Sequence, residues 1–216
     1  MSTAHVVIAV KDLAAAKTRL ADAFADIDRA RLVAAMFRDT VVAARAVDAV
    51  SAITVVTPDP SIAAAAVDLG ARVVKEPCDR TPLDSVARLN SAFEAAASIV
   101  RAEGSDDIIA LQADLPALRT AELAQAYLAA RGHARSVVSD HHGTGTAALI
   151  VDGSSGEFAP LFGPSSARRH RESGAYDLDG HWPGLRLDVD TIDDVREAHI
   201  LGVGQATAAV LRSLGW

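Results

Sequence analysis

Three aspartates stand where two apolar runs give way to a loop or helix: Leu111-Gln112-Ala113-Asp114-Leu115-Pro116 and Leu187-Asp188-Val189-Asp190-Thr191. In an open α/β sheet the carboxyl ends of the strands are where ligands bind. Hard carboxylate oxygens gathered at such an edge suit Mg²⁺ and, through it, a polyphosphate. On an extended strand Asp188 and Asp190 would share one face with Arg186, roughly 6.6 Å apart, while Leu185, Leu187 and Val189 pack on the other. Taken alone, this Asp-x-Asp is better explained as a solvent-facing edge strand with a helix-capping aspartate. Asp114 changes the balance, because it ends the run Ile108-Ile109-Ala110-Leu111, apolar enough for a central strand.

Carboxylates handling phosphate need opposing cations. The chain has only three lysines, and two of them, Lys11 and Lys17, lie in the segment Lys11–Leu20 after the first apolar run. That segment lacks the glycines of a G-x-G-x-x-G or Walker loop. Lys17 and Arg19 are therefore explained equally well as phosphate contacts or as basic residues on a solvated helix face. Asn90 falls on the apolar side of a helix pattern marked by Leu83, Val86, Phe93 and Ala97. It suits a ribose or base edge, or an internally satisfied amide. Gly143-Thr144-Gly145-Thr146 and Gly163-Pro164-Ser165-Ser166 read as plain turns or as cradles for a small anion, with Arg168, Arg169 and Arg171 adding positive field. His141, His142 and His170 lack zinc-site spacing, and there is no G-x-S-x-G elbow.

The elements that must position these residues alternate as in a βαβ chain. Strands are expected near 5–10, 52–57, 71–75, 107–112, 135–139, 146–151 and 184–189. Helices are expected near 29–48, 59–69, 82–103, 120–131, 165–174, 191–202 and 205–213. Thr57-Pro58-Asp59-Pro60 breaks a strand and opens a helix that Gly70 ends. Thr191 can cap the next helix, with Asp193 and Asp194 in its first turn. The alternation lapses between 133 and 184, a stretch suited to substrate recognition on a rigid scaffold. The 216 residues are expected to form one domain, 1–216.

Half the residues are hydrophobic but only 4% are aromatic, so the core must be aliphatic. A net charge of −7 argues against a broad nucleic-acid footprint. One cysteine, Cys78, excludes an internal disulfide and suits a reducing cytoplasm. No run approaches the ~20 apolar residues of a membrane span, and the start of the chain reads as a strand rather than a signal peptide. A cytoplasmic protein, with neither nucleic acid nor membrane as partner, is expected.

Several segments together carry a resemblance. They are V-K-D-L-A-A-A-K-T-R-L at 10–20, A-R-L-N-S-A-F at 87–93, L-Q-A-D-L-P-A-L at 111–118, G-T-G-T-A-A-L at 143–149, F-G-P-S-S-A-R-R-H at 162–170 and L-D-V-D-T-I-D-D-V at 187–195. In this order the set resembles the phospholactate/phosphoenolpyruvate guanylyltransferases of deazaflavin coenzyme F-420 biosynthesis, the CofC/FbiD family. The resemblance implies a Rossmann-like nucleotidyltransferase fold (GT-A/MobA-like), with a mixed, mostly parallel sheet flanked by helices. It also implies GTP, two Mg²⁺ ions and a three-carbon phospho-acid as reactants. By motif position Asp114, Asp188 and Asp190 would hold metal, and Thr146, Gly163 and Ser166 would bind the acid. Lys17 would face the GTP phosphates, with Asp114 beside it, and Asn90 the nucleoside. A glycine usual before Leu-Asn in the family is Arg88 here.

The chemistry expected is transfer of GMP to the acid's phosphate with release of pyrophosphate. Phosphoenolpyruvate is favoured over 2-phospho-L-lactate: the Ala/Arg-rich, Lys-poor composition suggests a high-GC bacterium, where the resemblance points to phosphoenolpyruvate. Handover of the product to the next enzyme of the pathway is a further expectation. The rivals are a molybdopterin or sugar-phosphate nucleotidyltransferase, a metal-dependent glycosyltransferase and a non-catalytic nucleotide-binding module.

Overall fold

Strand β1 (Ala4–Ala9) is buried along its whole length, and its side chains alternate between two cores. Val6 and Ile8 face one way, Val7 and Ala9 the other, as expected of a central strand covered on both sides. The computed structural model describes residues 3–216 apart from 12, 14–16, 76–83, 105, 106 and 155. Cys78, Leu83 and the expected start of the helix at 82 lie outside the described residues.

Around β1 a seven-stranded sheet is built in the order β3-β2-β1-β4-β6-β5-β7. Strands β2 (Val50–Val56), β3 (Arg72–Val74) and β4 (Asp107–Leu111) run parallel to β1. Strand β6 (Thr146–Val151) is antiparallel to both β4 and β5 (Arg135–Ser139), and β7 (Tyr176–Asp177) is parallel to β5. Because β6 runs against its neighbours, its first residue lies beside the carboxyl ends of β4 and β5. That edge therefore collects the segments after β1, β4 and β5 and the one before β6.

Helices α1 (Asp26–Arg45), α2 (Pro60–Asp68) and α4 (Thr120–Ala129) cover one face through Phe37, Val41, Ile62, Leu123 and Ala126. Helix α3 (Ser85–Ala102) covers the other with Phe93, Ala96 and Val100, and Phe93 stacks on Phe162 at 4.6 Å between centroids. A third cluster joins α1 to α7 (Ile192–Leu201) and α8 (Gln205–Ser213) through Leu32, Met36, Val195, Ala198 and Leu211. Helix α5 (Ser166–Glu172) lies between β6 and β7 in the chain. No helix of the described residues is long and apolar enough to cross a membrane.

Local signals account for several boundaries. Asp59 caps α2 by accepting from the amides of Ser61 and Ile62, Pro60 takes its first turn, and Gly70 follows with φ +73°. Asp84 caps α3 in the same way.

One expected strand is absent. Residues 184–189 begin as a helical turn, α6 (Pro183–Arg186), and continue as irregular chain without a sheet partner. The cause is tertiary. The amides of Gly184 and Leu185 donate to the two carboxylate oxygens of Glu122 on α4 at 3.2 and 2.9 Å, and Pro183 favours the first helical position. The alternation read from the sequence survives: Leu185, Leu187 and Val189 are buried, whereas Arg186, Asp188 and Asp190 are half-buried.

Candidate active site

The two aspartate motifs are joined through their backbones. Just past β4, Asp114 offers its carbonyl to the amide of Val189 at 3.1 Å, which sets Asp188 and Asp190 on either side of that bond. The next residue, Leu115, donates its amide to Thr40 Oγ1 at 3.1 Å, and Thr40 in turn donates to the carbonyl of Met36 on α1. Beyond Asp190 the chain is fixed by a capping box. Asp194 accepts from the amides of Asp190 and Thr191 at 2.9 and 2.7 Å, and Thr191 Oγ1 accepts from the amide of Asp194. Thus Asp188 and Asp190, although not on a strand, are held at both ends.

Lys17 enters from the segment after β1. Its backbone is left-handed (φ 53°, ψ 46°), a conformation that non-glycine residues adopt rarely. Its Nζ contacts the carboxylate of Asp114 and lies 2.5 Å from Asp190 Oδ1; Arg19 reaches Asp190 Oδ2 at 3.8 Å. Burial alone would lower the Lys17 pKa, but the charges of Asp114 and Asp190 outweigh it and the net shift is upward. The Asp114 pKa is raised, chiefly by burial. Lys17 opposes the rise and the neighbouring charges of Asp188 and Asp190 add to it.

Asp114 Oδ1 is buried and has no hydrogen-bond partner among the described residues. Asp114 and Asp190 thus meet on one lysine, Asp188 acts on Asp114 by its charge, and Asp114 keeps an oxygen inside the cluster that is unpaired among the described residues. This donor set fits a hard divalent cation such as Mg²⁺.

His141, which the sequence reading weighed only as a zinc ligand, borders the same cluster. Its Nε2 lies 3.2 Å from Asp194 Oδ1, its Nδ1 3.6 Å from Asp188 Oδ1, and its amide donates to the carbonyl of Arg186. The interaction with Asp188 raises its pKa against the effect of burial, and Asp194 adds to the rise, bringing it to about 9. His141, His142 and Asp194 have ligand atoms within 4.8 Å of one another, but both Asp194 oxygens already accept hydrogen bonds. Arg186 ties this region to β5 through Ser139 and to the carbonyls of Leu178 and Gly180.

The glycine-rich loops meet beside this cluster. Asp140 accepts from the amides of Thr144 and Gly145 at 2.9 and 2.7 Å, and a Cβ at Gly145 would collide with that carboxylate. Thr146 opens β6 and is buried; its carbonyl accepts from Gln112 Nε2, two residues before Asp114. The amide of Ala167 donates to the carbonyl of Thr144, which brings α5 against the loop. Ser166, first in α5, is buried and donates its amide to Gly163, whose φ is +119°. Arg168 is exposed, Arg171 pairs with Asp177 at 3.1 Å, and Arg169 donates to the carbonyl of Phe162. Thr146, Gly163 and Ser166 therefore share one corner of the sheet edge that carries Lys17 and the three aspartates.

Asn90 makes the internal bonds that the sequence left open beside a nucleoside contact. Its carbonyl accepts from the amide of Phe162 at 2.8 Å, and its Nδ2 donates to the carbonyls of Phe162 and Val86 at 3.0 and 3.1 Å. The carboxamide pairs with a backbone unit and holds the turn that precedes Gly163.

Residues 4–216 match the family model described as guanylyl transferase CofC like. The chain belongs to this family. It is 54% identical over 214 residues to the phosphoenolpyruvate guanylyltransferase of Nocardia farcinica, covering 98% of this chain and 92% of that one. It is 52% identical over 218 residues to phosphoenolpyruvate guanylyltransferase 1 of Rhodococcus jostii, covering 98% and 94%. Among solved structures, a nucleotidyl transferase from Methanothermobacter thermautotroptrophicus shares the fold with a TM-score of 0.60 at 19% identity, over 92% of this chain and 97% of that one.

Proposed function

We propose that this chain transfers GMP from GTP to the phosphate of phosphoenolpyruvate, releasing pyrophosphate, in the assembly of deazaflavin coenzyme F-420 in the cytoplasm. The observation that carries the reading is the pairing of Lys17 with Asp114 and Asp190, with the Asp188 charge beside Asp114 and Asp114 Oδ1 left unpaired among the described residues. The names of the Nocardia and Rhodococcus relatives favour phosphoenolpyruvate as the acid, with 2-phospho-L-lactate next.

An oxygen of the acid's phosphate attacks the α-phosphorus of GTP in line. A new P–O–P bond forms, the bond to the β-phosphate oxygen breaks, and pyrophosphate leaves with its electron pair. A phosphate monoester is already anionic at neutral pH, so no side chain must take a proton. Catalysis is positioning and charge neutralisation. Asp114, Asp188 and Asp190 would hold Mg²⁺, which supplies neutralisation of phosphate charge when bound. Lys17, fully charged at any working pH, faces the phosphates from the β1 side. Thr146, Gly163 and Ser166 take the acid's carboxylate, so that the segment 133–184 serves as the recognition segment. Asn90 serves this arrangement by holding the Phe162–Gly163 turn. The product is a reactive phosphoanhydride, which suits direct handover to an acceptor enzyme.

The test is pyrophosphate release from GTP and Mg²⁺ with phosphoenolpyruvate, 2-phospho-L-lactate and 3-phosphoglycerate supplied separately. A parallel reaction carries the acceptor enzyme and its deazaflavin to trap a short-lived product. Turnover with phosphoenolpyruvate above the other two is expected. Silence with all three, trap included, would overturn the reading.

A further inference from the structure

His170 is fully buried behind Thr146, and its two ring nitrogens meet different kinds of partner. Nε2 lies 2.9 Å from the backbone nitrogen of Leu161. A backbone N–H can only donate, so Nε2 must present its lone pair. The neutral ring then carries its hydrogen on Nδ1, 3.0 Å from Thr146 Oγ1. Were Thr146 to donate to Nδ1 instead, both ring nitrogens would be acceptors and the imidazole would be an anion. A doubly protonated ring would set its Nε2–H against the Leu161 N–H. Only the Nδ1–H tautomer satisfies both contacts. Burial, aided by the charges of Arg135 and Arg169, outweighs an opposing backbone interaction with Ser166, pushes the His170 pKa down to about 4 and keeps the ring neutral.

The consequence falls on the hydroxyl. Thr146 Oγ1 accepts from His170, and among the described residues it has no other partner. Its single hydrogen is left without an acceptor in a buried position, where polar hydrogens normally find one. Thr146 is 2% exposed and Ser166 1%, at the corner where the Thr144 carbonyl meets the amide of Ala167. The same ring also anchors Leu161, next to the Phe162 unit held by Asn90.

We propose that His170 is a positioning residue for the acid: by donating from Nδ1 to Thr146, it compels the hydroxyl to donate its own hydrogen to the carboxylate of the phospho-acid. This rests on the reading of Thr146 as an acid-binding residue. An unconstrained threonine hydroxyl turns as readily to accept as to donate. With its acceptor role filled by the ring, it is pre-set for an anion and against a neutral hydroxyl or amide hydrogen at the same place.

Two substitutions separate this role from a structural one. His170→Asn can place an amide donor near the Nδ1 position but loses the acceptor for Leu161. His170→Gln can place a carbonyl near Nε2 for Leu161 but loses the donor to Thr146. Steady-state kinetics with GTP and phosphoenolpyruvate would be measured for both, for Thr146→Val and for Thr146→Val/His170→Gln. Loss of one bond to a charged group predicts a rise of roughly 10-fold or more in KM for the acid in Thr146→Val and His170→Gln. The rise in His170→Asn should be about threefold, and KM for GTP should hardly move. In the double variant the effects should not multiply, since both remove one interaction. The reverse order, with Asn severe and Gln mild, or multiplicative effects, would overturn the proposal.

A long-range ¹H–¹⁵N spectrum of the wild-type imidazoles reads the tautomer without requiring turnover or a stable variant. An Nδ1–H pattern for His170 is expected, and an Nε2–H pattern would also overturn the proposal. Wild-type protein that uses no phospho-acid, trap included, would sink the underlying function whatever the tautomer. Turnover with the wrong tautomer or the wrong kinetic order would sink only the inference.

Discussion

The amide of Val189 donates to the carbonyl of Asp114 at 3.1 Å, so one backbone bond fixes the spacing between two motifs 75 residues apart in the chain. The carboxylates of Asp188 and Asp190 flank that bond and act as one unit with Asp114, each raising the Asp114 pKa by its charge. Geometry here is set by backbone, while the charge is carried by side chains that can be altered without breaking the bond.

Asp188→Asn and Asp190→Asn therefore remove charge but keep shape. Each should lower kcat on the order of 100-fold or more, as expected when metal-borne charge stabilisation is lost. The circular dichroism spectrum should match wild type. Near-normal turnover of either variant with Mg²⁺ would remove the metal role from that residue.

Lys17→Met acts on stability as well as chemistry. Lys17 and Asp114 have side chains only 12% and 15% exposed, and breaking such a pair from one side costs about 3–5 kcal/mol. The sign with pH follows from Asp114. Its folded pKa is raised, and removing Lys17, which lowers it, raises it further. A raised carboxyl pKa means that the native state gains stability as pH falls. The variant's deficit in urea midpoint, measured without metal, should thus be large at pH 8 and shrink towards pH 5. Mg²⁺ should restore part of it at pH 8. A deficit independent of both pH and Mg²⁺ would show that the ammonium does not neutralise this cluster.

Strands β1 and β4, the aspartate motifs and the Thr191 cap could be read from the sequence because their signals are local. An apolar run, a proline or a capping residue needs no knowledge of distant partners. The run 184–189 shows where this stops. Its alternating burial is real, yet Glu122, more than sixty residues away, rolls its first half into α6. Strand β7 has two exposed residues and no pattern of its own. His141 and His170 were invisible as site residues for the same reason. Their partners, Asp188 and Asp194 for one and Leu161 and Thr146 for the other, are assembled by the fold, and no spacing between histidines announces them. Asn90 was placed on the correct helix face, but the backbone unit it holds lies 72 residues on.

Asn90→Ala tests that placement. It removes both bonds to Phe162, leaving a backbone amide and carbonyl to find other partners. The Gly163 turn should loosen, and KM for the phospho-acid should rise about 10-fold or more. KM for GTP should change less than threefold. The opposite split would mean that the nucleoside is the partner that matters.

His141 makes stability depend on alkaline pH. Its folded pKa, about 9, lies above the ordinary 6.5, so the charged ring is favoured in the native state. Stability from this group is fully present below pH 6.5 and is lost as pH rises through about 9. Urea midpoints of the wild type in metal-free buffer should therefore fall between pH 6.5 and 9.5, beyond the change seen in His141→Gln. The glutamine variant keeps a donor for Asp194 but no titrating group, so the difference between the two curves isolates the imidazole. Parallel curves would show that Asp188 and Asp194 do not hold a proton on His141. Mg²⁺ should flatten the wild-type curve, since a cation at Asp188 competes for the charge that raises the ring's pKa.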